Sequence, residues 1–353
     1  MNNSSTHKKK RPTFKDQEKK ILSDMSDFWE KHGSRLKSQY MNRLSSSPEG
    51  ILLNEDYLAD KLKRCKTLII TANQVEGNIV TSCLMGLNKN CPLERIVADR
   101  QLYQFSEINH FPVVHIWPQS TSSFTAHGSF QAISEAFKYF RPHQVISLGV
   151  AFGAKPDIQH LGDVIVANAV IPYDAFNKVV NGRITLNPHE TYETDYNLLA
   201  NWAHMLGIPT QLEKQCRQVG RESFQWHYGS ILSGGSVISD IREKNRLFVA
   251  ASQYKLVGGE MEGHGIYFAC EQAGVPCIII KGICDWGALK NNWEIDDTVC
   301  ADTIKNCVQA YATDNAFFAL CYLLKQLQKD RLVDDSPQST TIHSTYRGFR
   351  PRY

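Results

Sequence analysis

Glu260 and Glu262 flank Met261 inside the glycine-bracketed stretch GGEMEGHG, residues 258–265. Two further acids stand at the ends of apolar runs: Glu76 shortly after TLIIT, and Asp285 at the end of PCIIIKGIC. A carboxyl that holds a proton serves as a general acid, and one that is ionised serves as a general base, so several acids aimed at one ligand supply proton transfer in both directions. Side chains alternate along a strand, which predicts that Glu260 and Glu262 point one way and Met261 the other, unless the turn has already begun. One chain end would then present carboxylate and thioether groups together. Taken singly the acids carry little information, because an acid after a strand is ordinarily a helix cap or turn residue. The bland account of GGEMEGHG is a strand terminus with two solvated acids and a core methionine. No His-Glu-x-x-His or Cys-x-x-Cys spacing is present, so no metal site is expected and no cofactor is called for.

These acids need elements to position them. TLIIT, VVHIW, VISLGV, DVIVANAVI, SILSGG, KLVGGEM and PCIIIKGIC read as strands, several apolar enough to be buried on both faces. Amphipathic segments lie between them, the clearest being GSFQAISEAFKYF, where Phe130, Ile133, Phe137 and Phe140 form a helical stripe. The alternation predicts a three-layer α/β domain with a central, mostly parallel mixed sheet over residues 66–329. Ligands bind such sheets at the carboxyl ends of the strands, where all these acids fall. Residues 1–65 are polar and read as a helical extension, with helices over Asp16–Lys37 and Leu53–Lys63 broken at LSSSPEG. Its first ten or so residues are expected to be disordered, and residues 330–353 are expected to form a flexible tail.

The 353-residue chain has 42% hydrophobic residues, enough for one large core, and a net charge of +3, too small to mark a polyanion-binding body. Basic residues gather in HKKKRPTFKDQEKK and YRGFRPRY, which read as solvated tails or as contacts for a partner or nucleic acid. The ten cysteines are scattered, several inside apolar runs, as suits reduced thiols in a cytoplasmic protein. No secretory signal follows the basic amino terminus, and the apolar runs are too short to cross a bilayer.

The order of the motifs carries a resemblance. VISLGVAFGAKPDIQHLGDVIVANAVIPYD followed by GGEMEGHGIYFACEQAGVPCIIIKGICDWG resembles the nucleoside phosphorylase superfamily, especially its nucleosidase branch, which includes methylthioadenosine/S-adenosylhomocysteine nucleosidases. That resemblance implies a substrate that is a purine nucleoside or nucleotide, and cleavage of its N-glycosidic bond. It assigns Asp285 to protonating or hydrogen-bonding purine N7, which requires a proton on Asp285 in the substrate complex. Glu76 would take a proton from the attacking water. Glu262 would accept hydrogen bonds from the ribose hydroxyls, Met261 would lie against the apolar face of the sugar, and Glu260 would be structural or assist at the hydroxyls. Ser236, Val237 and Ile238 would contact the base, with Val237 where the family often has an aromatic. Gly149, Val150, Ala151, Phe152 and Gly153 form the glycine-rich turn, and Phe152 stands where a small residue is usual. The glycines at 258 and 259 would keep the approach to the ligand open.

Phosphorylases of this superfamily anchor phosphate with arginines in a Gly-Asp-Pro-x-Arg-type loop and before the glycine-rich turn. The corresponding TANQVEGN and HQVISLG contain none, which favours water as nucleophile and leaves a phosphate-dependent phosphorylase as the alternative. The wording of GGEMEG and KGICDW is closer to the phosphorylase-like effector domains of bacterial defence and fungal immune-type proteins. This implies an adenine nucleotide as substrate, activity dependent on homo-oligomeric assembly, and for residues 1–65 either docking on a protein partner or a part in oligomerising the domain. Lys155, Arg183, Arg242 and Lys281 are the candidates to supply charge at the ribose 5′ end. A non-catalytic nucleotide sensor, or a nucleic-acid-associated module, is the remaining class. Retention of both Glu76 and Asp285 speaks against a sensor, and the absence of interleaved basic and aromatic residues speaks against a nucleic-acid module.

Overall fold

Short apolar runs rich in β-branched residues become the strands at the centre of the molecule. A computed structural model describes residues 12–45, 50–87, 93–118, 122–125, 127–174, 176–180, 183–186, 191–195, 209–290 and 292–334. In chain order the strands are β1 (Ile51–Leu52), β2 (Thr67–Ile70), β3 (Glu94–Ala98), β4 (Gln101–Ile108), β5 (Phe111–Ile116), β6 (Gln144–Gly153), β7 (Val164–Pro172), β8 (Phe176–Val180), β9 (Arg183–Leu186), β10 (Tyr192–Glu193), β11 (Trp226–Ser233), β12 (Leu256–Glu260) and β13 (Cys277–Asp285). The helices are α1 (Phe14–Ser45), α2 (Leu58–Arg64), α3 (Gln74–Leu87), α4 (Ser129–Tyr139), α5 (Pro209–Gln218), α6 (Ile241–Ala250), α7 (Gly263–Ala273) and α8 (Ala301–Asp334).

The large sheet runs β1-β3-β4-β5-β2-β6-β12-β11-β7-β10, with β13 paired to both β6 and β7. The pairings β6–β13, β13–β7, β7–β11, β11–β12 and β12–β6 close a ring. The sheet is mixed as expected. β2 lies parallel to both β5 and β6, β13 lies parallel to β6, and β11 lies parallel to β7 and β12, while β12 runs antiparallel to β6 and β3–β4–β5 form an antiparallel meander. Each of the seven expected strand segments is present.

Neighbouring residues on the central strands feed opposite cores. Leu68 and Ile70 join one apolar cluster with Ile133 of α4 and Ile266 of α7, while Ile69 joins another with Phe317 and Leu320 of α8. Helices therefore cover both faces, and the strands are apolar throughout because neither face meets water. In the stripe on and just after α4, Ile133 and Phe140 are buried, and Phe130 and Phe137 pack partly buried against the same core. Among the described residues no helix is long and apolar enough to cross a membrane.

The amino-terminal segment departs from its expected form. α1 runs from Phe14 to Ser45 and buries Ile21, Met25, Trp29, Leu36 and Tyr40 along one side, so tertiary packing carries the helix to the edge of the linker. The helix expected over Leu53–Lys63 forms only in its second half, as α2; its first half is a tight helical turn over Glu55–Tyr57 capped by Asn54, and just before it β1 pairs with β3. Helix α8 continues to Asp334, so the first five residues of the tail expected over 330–353 are helical instead; the rest of that tail, and the disorder expected over the first ten or so residues, lie outside the described residues.

Candidate active site

Three strand ends converge on the end of β6, where residues 149–153, expected from the sequence as a glycine-rich turn, instead continue the strand because they pair with β13 and β12. β2 and β13 lie parallel to β6, with Ile70 opposite Ser147 and Asp285 opposite Phe152. From the other side, Gly259 of β12 also pairs with Phe152. A cavity of about 240 Å³ opens at this junction, and Glu76, Glu260, Met261, Glu262 and Asp285 all line it, together with Val150, Ala151, Phe152 and Val237. The acids separated by most of the chain thus share one cavity.

Glu76 occupies the first turn of α3 and is buried. Its Oε2 accepts the Ala72 N–H at 2.7 Å, and its Oε1 accepts Asn73 Nδ2–H at 2.9 Å, while Asn73 Oδ1 accepts the Glu76 N–H at 3.1 Å. The side chain passes over Gly149, whose φ of +142° and lack of a Cβ are both required: a Cβ there would sit 2.5 Å from Glu76 Cδ. Burial raises the Glu76 pKa above the usual carboxylate range, against the opposing pull of Lys281 and of the Ala72 and Val150 N–H groups.

Strand alternation stops at Glu260, where β12 ends, so Glu260 and Glu262 do not act as a same-face pair. Glu260 turns back and accepts the Glu262 N–H at 3.0 Å and the Gly263 N–H at 2.8 Å, capping α7 with a charge suited to a helix amino terminus. Glu262 Oε2 lies 3.9 Å from Lys281 Nζ and accepts the Met261 N–H at 3.3 Å. Burial pushes the Glu262 pKa up to about 8, with Lys281 opposing and Glu260 and Glu76 adding to the rise. Lys281 is almost fully buried; burial works against its charge, but Glu76, Glu262 and Glu260 outweigh it and raise its pKa. The Met261 and Glu262 carbonyls accept hydrogen bonds from Ser123 and Ser129, which fix this turn against the segment leading into α4.

Asp285 ends β13. Its Oδ1 accepts the Gly287 N–H at 2.7 Å, and its Oδ2 lies 3.7 Å from Lys290 Nζ, whose pKa rises chiefly because of Asp285. Phe152 fills the space between β12 and this turn. Gly259 and Gly287 lack the Cβ that would strike its ring, and a Cβ on Gly258 would strike the Phe152 carbonyl. The glycines at 258 and 259 therefore make room for Phe152 and its backbone, and Gly259 also lines the cavity. Gly153 makes room for the Trp286 ring.

Of the three residues expected at the base, Val237 is exposed and lines the cavity, whereas Ile238 is buried in an apolar cluster with Phe152 and Ser236 points to solvent, its carbonyl accepting the Tyr173 hydroxyl. Among the four cations considered for the 5′ end, Lys281 lies beneath the acids, and Lys155 and Arg242 are exposed away from the cavity lining. The side chain of Arg183 lies outside the described residues. The cavity is lined instead by Lys290 and Lys305, with Asn73 and Gln309. None of these was singled out from the sequence; Asn73, three residues before Glu76, had a signal as a side chain able to cap α3.

Residues 127–318 match the sequence profile of the phosphorylase superfamily. Over 207 residues the chain is 26% identical to the ATP nucleosidase Cap17 of Escherichia coli, covering 49% of this chain and 39% of that protein. Over 242 residues it is 26% identical to a death domain-containing ATP nucleosidase of Amphimedon queenslandica, covering 64% of this chain and 44% of that protein. The matched region thus spans less than half the length of these curated relatives. In fold it is similar to the 5′-methylthioadenosine/S-adenosylhomocysteine nucleosidase of Neisseria meningitidis, with a TM-score of 0.53 and 17% identity over 74% of this chain and 99% of that one. With the sheet, the cavity and a match over more than half its length in agreement, this chain belongs to the phosphorylase superfamily.

Proposed function

We propose that this chain hydrolyses the N-glycosidic bond of an adenine nucleotide or nucleoside and releases adenine. The observation that carries the proposal is the convergence of Glu76, Glu262 and Asp285, with Met261, on one cavity. Breaking the bond between C1′ and N9 leaves cationic character on the sugar and negative charge on the base, so a group is needed on each side. Asp285 places a proton at purine N7. Glu76, fixed by Ala72 and Asn73, takes a proton from the water whose oxygen bonds C1′. Glu262 holds the ribose hydroxyls, Met261 covers the sugar, and Glu260 serves by holding the turn. Val237 lies against the base.

Water is favoured over phosphate because the cavity lining includes no arginine among the described residues. Lys290 and Lys305 are its lining cations, and they support an adenine nucleotide over an uncharged nucleoside. The cavity, about 240 Å³, is below the usual range for drug-sized ligands of roughly 300–1,000 Å³, so a polyphosphate would extend past its mouth. The similarity to two ATP nucleosidases supports the same substrate class. Action as a cytoplasmic homo-oligomeric effector that docks a partner through residues 1–65 belongs to the same proposal.

Chromatography of free adenine after incubation with ATP, AMP and methylthioadenosine, with and without phosphate, tests it. Phosphate-independent adenine release that Asp285→Asn abolishes supports the assignment. Release only with phosphate favours the phosphorylase, and ligand binding without release favours a sensor. Turnover of methylthioadenosine alone refutes the nucleotide substrate.

A further inference from the structure

The turn that carries Asp285 is held from three directions. Within the turn, Asp285 Oδ1 accepts the Gly287 N–H, and Gly287 adopts a left-handed φ of +61°. From α6, the buried Lys244 donates from Nζ to the Trp286 carbonyl at 2.6 Å and to the Gly153 carbonyl at 2.8 Å. The third hold comes from α1. The Trp286 ring is fully buried, and its Nε1–H donates to Asp24 Oδ2 at 2.8 Å, across 262 positions of sequence. A buried indole N–H without an acceptor is costly, so the position of Trp286 depends on Asp24.

The same helix holds the neighbouring segment a second time, Trp29 Nε1–H donating to Asp296 Oδ2 at 2.9 Å. Further along, Arg43 donates to Ser82 Oγ of α3 at 2.9 Å, on the helix that begins with Glu76. α1 therefore touches both elements that carry the reacting acids, although it lies outside residues 127–318, the segment that matches the family.

We propose that Asp24 is a positioning residue of the reacting centre: by accepting the Trp286 indole N–H it holds the turn that places Asp285, so that α1 completes the active site. This rests on the assignment of Asp285 to the base. Asp24 touches no substrate; it acts through Trp286.

The test compares adenine release by wild type, Asp24→Asn, Asp24→Leu, Trp286→Phe and the double variant Asp24→Leu/Trp286→Phe. Leucine removes the acceptor and phenylalanine removes the donor, and each lowers kcat by about tenfold with KM changed less than about twofold. The double variant is no slower than either single variant, because both break one interaction. Asp24→Asn keeps an acceptor oxygen and most of the activity. An unchanged kcat in Asp24→Leu, or a double variant slowed by the product of the two single effects, overturns the proposal. Hydrogen exchange supplies a readout free of catalysis: the amides of residues 284–290 exchange faster in Asp24→Leu and as in wild type in Asp24→Asn, and equal exchange in all three overturns it. A wild type that releases no adenine sinks the functional assignment, while exchange still decides the role of Asp24.

Discussion

Lys281 Nζ stands 3.9 Å from Glu262 Oε2 beneath the cavity, a buried cation facing the acid assigned to the ribose. Glu76 and Glu260 also raise the pKa of this lysine, so one cation stands among three carboxyl groups. Removing one member of such a buried group typically costs about 3–5 kcal/mol, because the others remain uncompensated. Lys281→Met is expected to lower stability on that scale, read as the midpoint of urea unfolding; a midpoint equal to wild type would show that the acids hold themselves without it.

The raised Glu262 pKa sets a dependence of stability on pH. The folded chain keeps a proton on Glu262 up to about pH 8, whereas the unfolded chain releases it near 4.5. The associated stabilisation is fully present below the unfolded value and is lost as pH rises through the folded one. Tm of wild type relative to Glu262→Gln therefore falls between about pH 5 and about pH 8. A difference that stays flat over this range contradicts the assignment. Comparison with the variant is needed because the buried His115, with its pKa pushed down to about 3, contributes a slope of opposite sign in the acidic part of the window.

Gly149 is the backbone partner of Glu76. In Gly149→Ala the added Cβ meets the Glu76 carboxylate in a conformation that favours glycine, and strain of this kind costs about 1–3 kcal/mol. The variant is expected to lose adenine release by about a hundredfold, on the scale of a displaced general base. A folded Gly149→Ala with wild-type kcat would remove Glu76 from the chemistry.

Lys305 has no hydrogen-bond or ion-pair partner among the described residues and lines the cavity on α8, one turn before Gln309. Lys305→Glu is expected to lower kcat/KM for ATP by about tenfold more than for methylthioadenosine, the scale of replacing an attractive charge by a repulsive one at a partly exposed site. Equal losses for the two substrates would place the phosphates elsewhere.

The acids were legible because each follows an apolar run long enough to mark a strand, and ligands gather at strand ends in such sheets. Lys281 was legible as a cation inside CIIIKGIC, yet its partners depend on which strands adjoin, which no local pattern states. β3 and β4 escaped notice because their turns use Asp99–Arg100 and Asn109–His110, all with positive φ and none of them glycine, in place of the usual Asn-Gly or Asp-Gly signal. Lys290, Lys305 and Asp24 lie on loops and helices whose approach to the cavity is set by packing across the whole chain. The strict alternation of Glu260 and Glu262 failed for a local reason, since the strand ends one residue before Met261.

Hydrolysis by water at C1′ is tested most directly by incubating the protein with ATP, without phosphate, in water enriched in heavy oxygen, and weighing the products by mass spectrometry. Adenine is expected in equal amount to a sugar product that carries the heavy oxygen at its anomeric carbon, with both lost in Asp285→Asn and Glu76→Gln. Absence of adenine, or a sugar 1-phosphate formed only when phosphate is added, would contradict it.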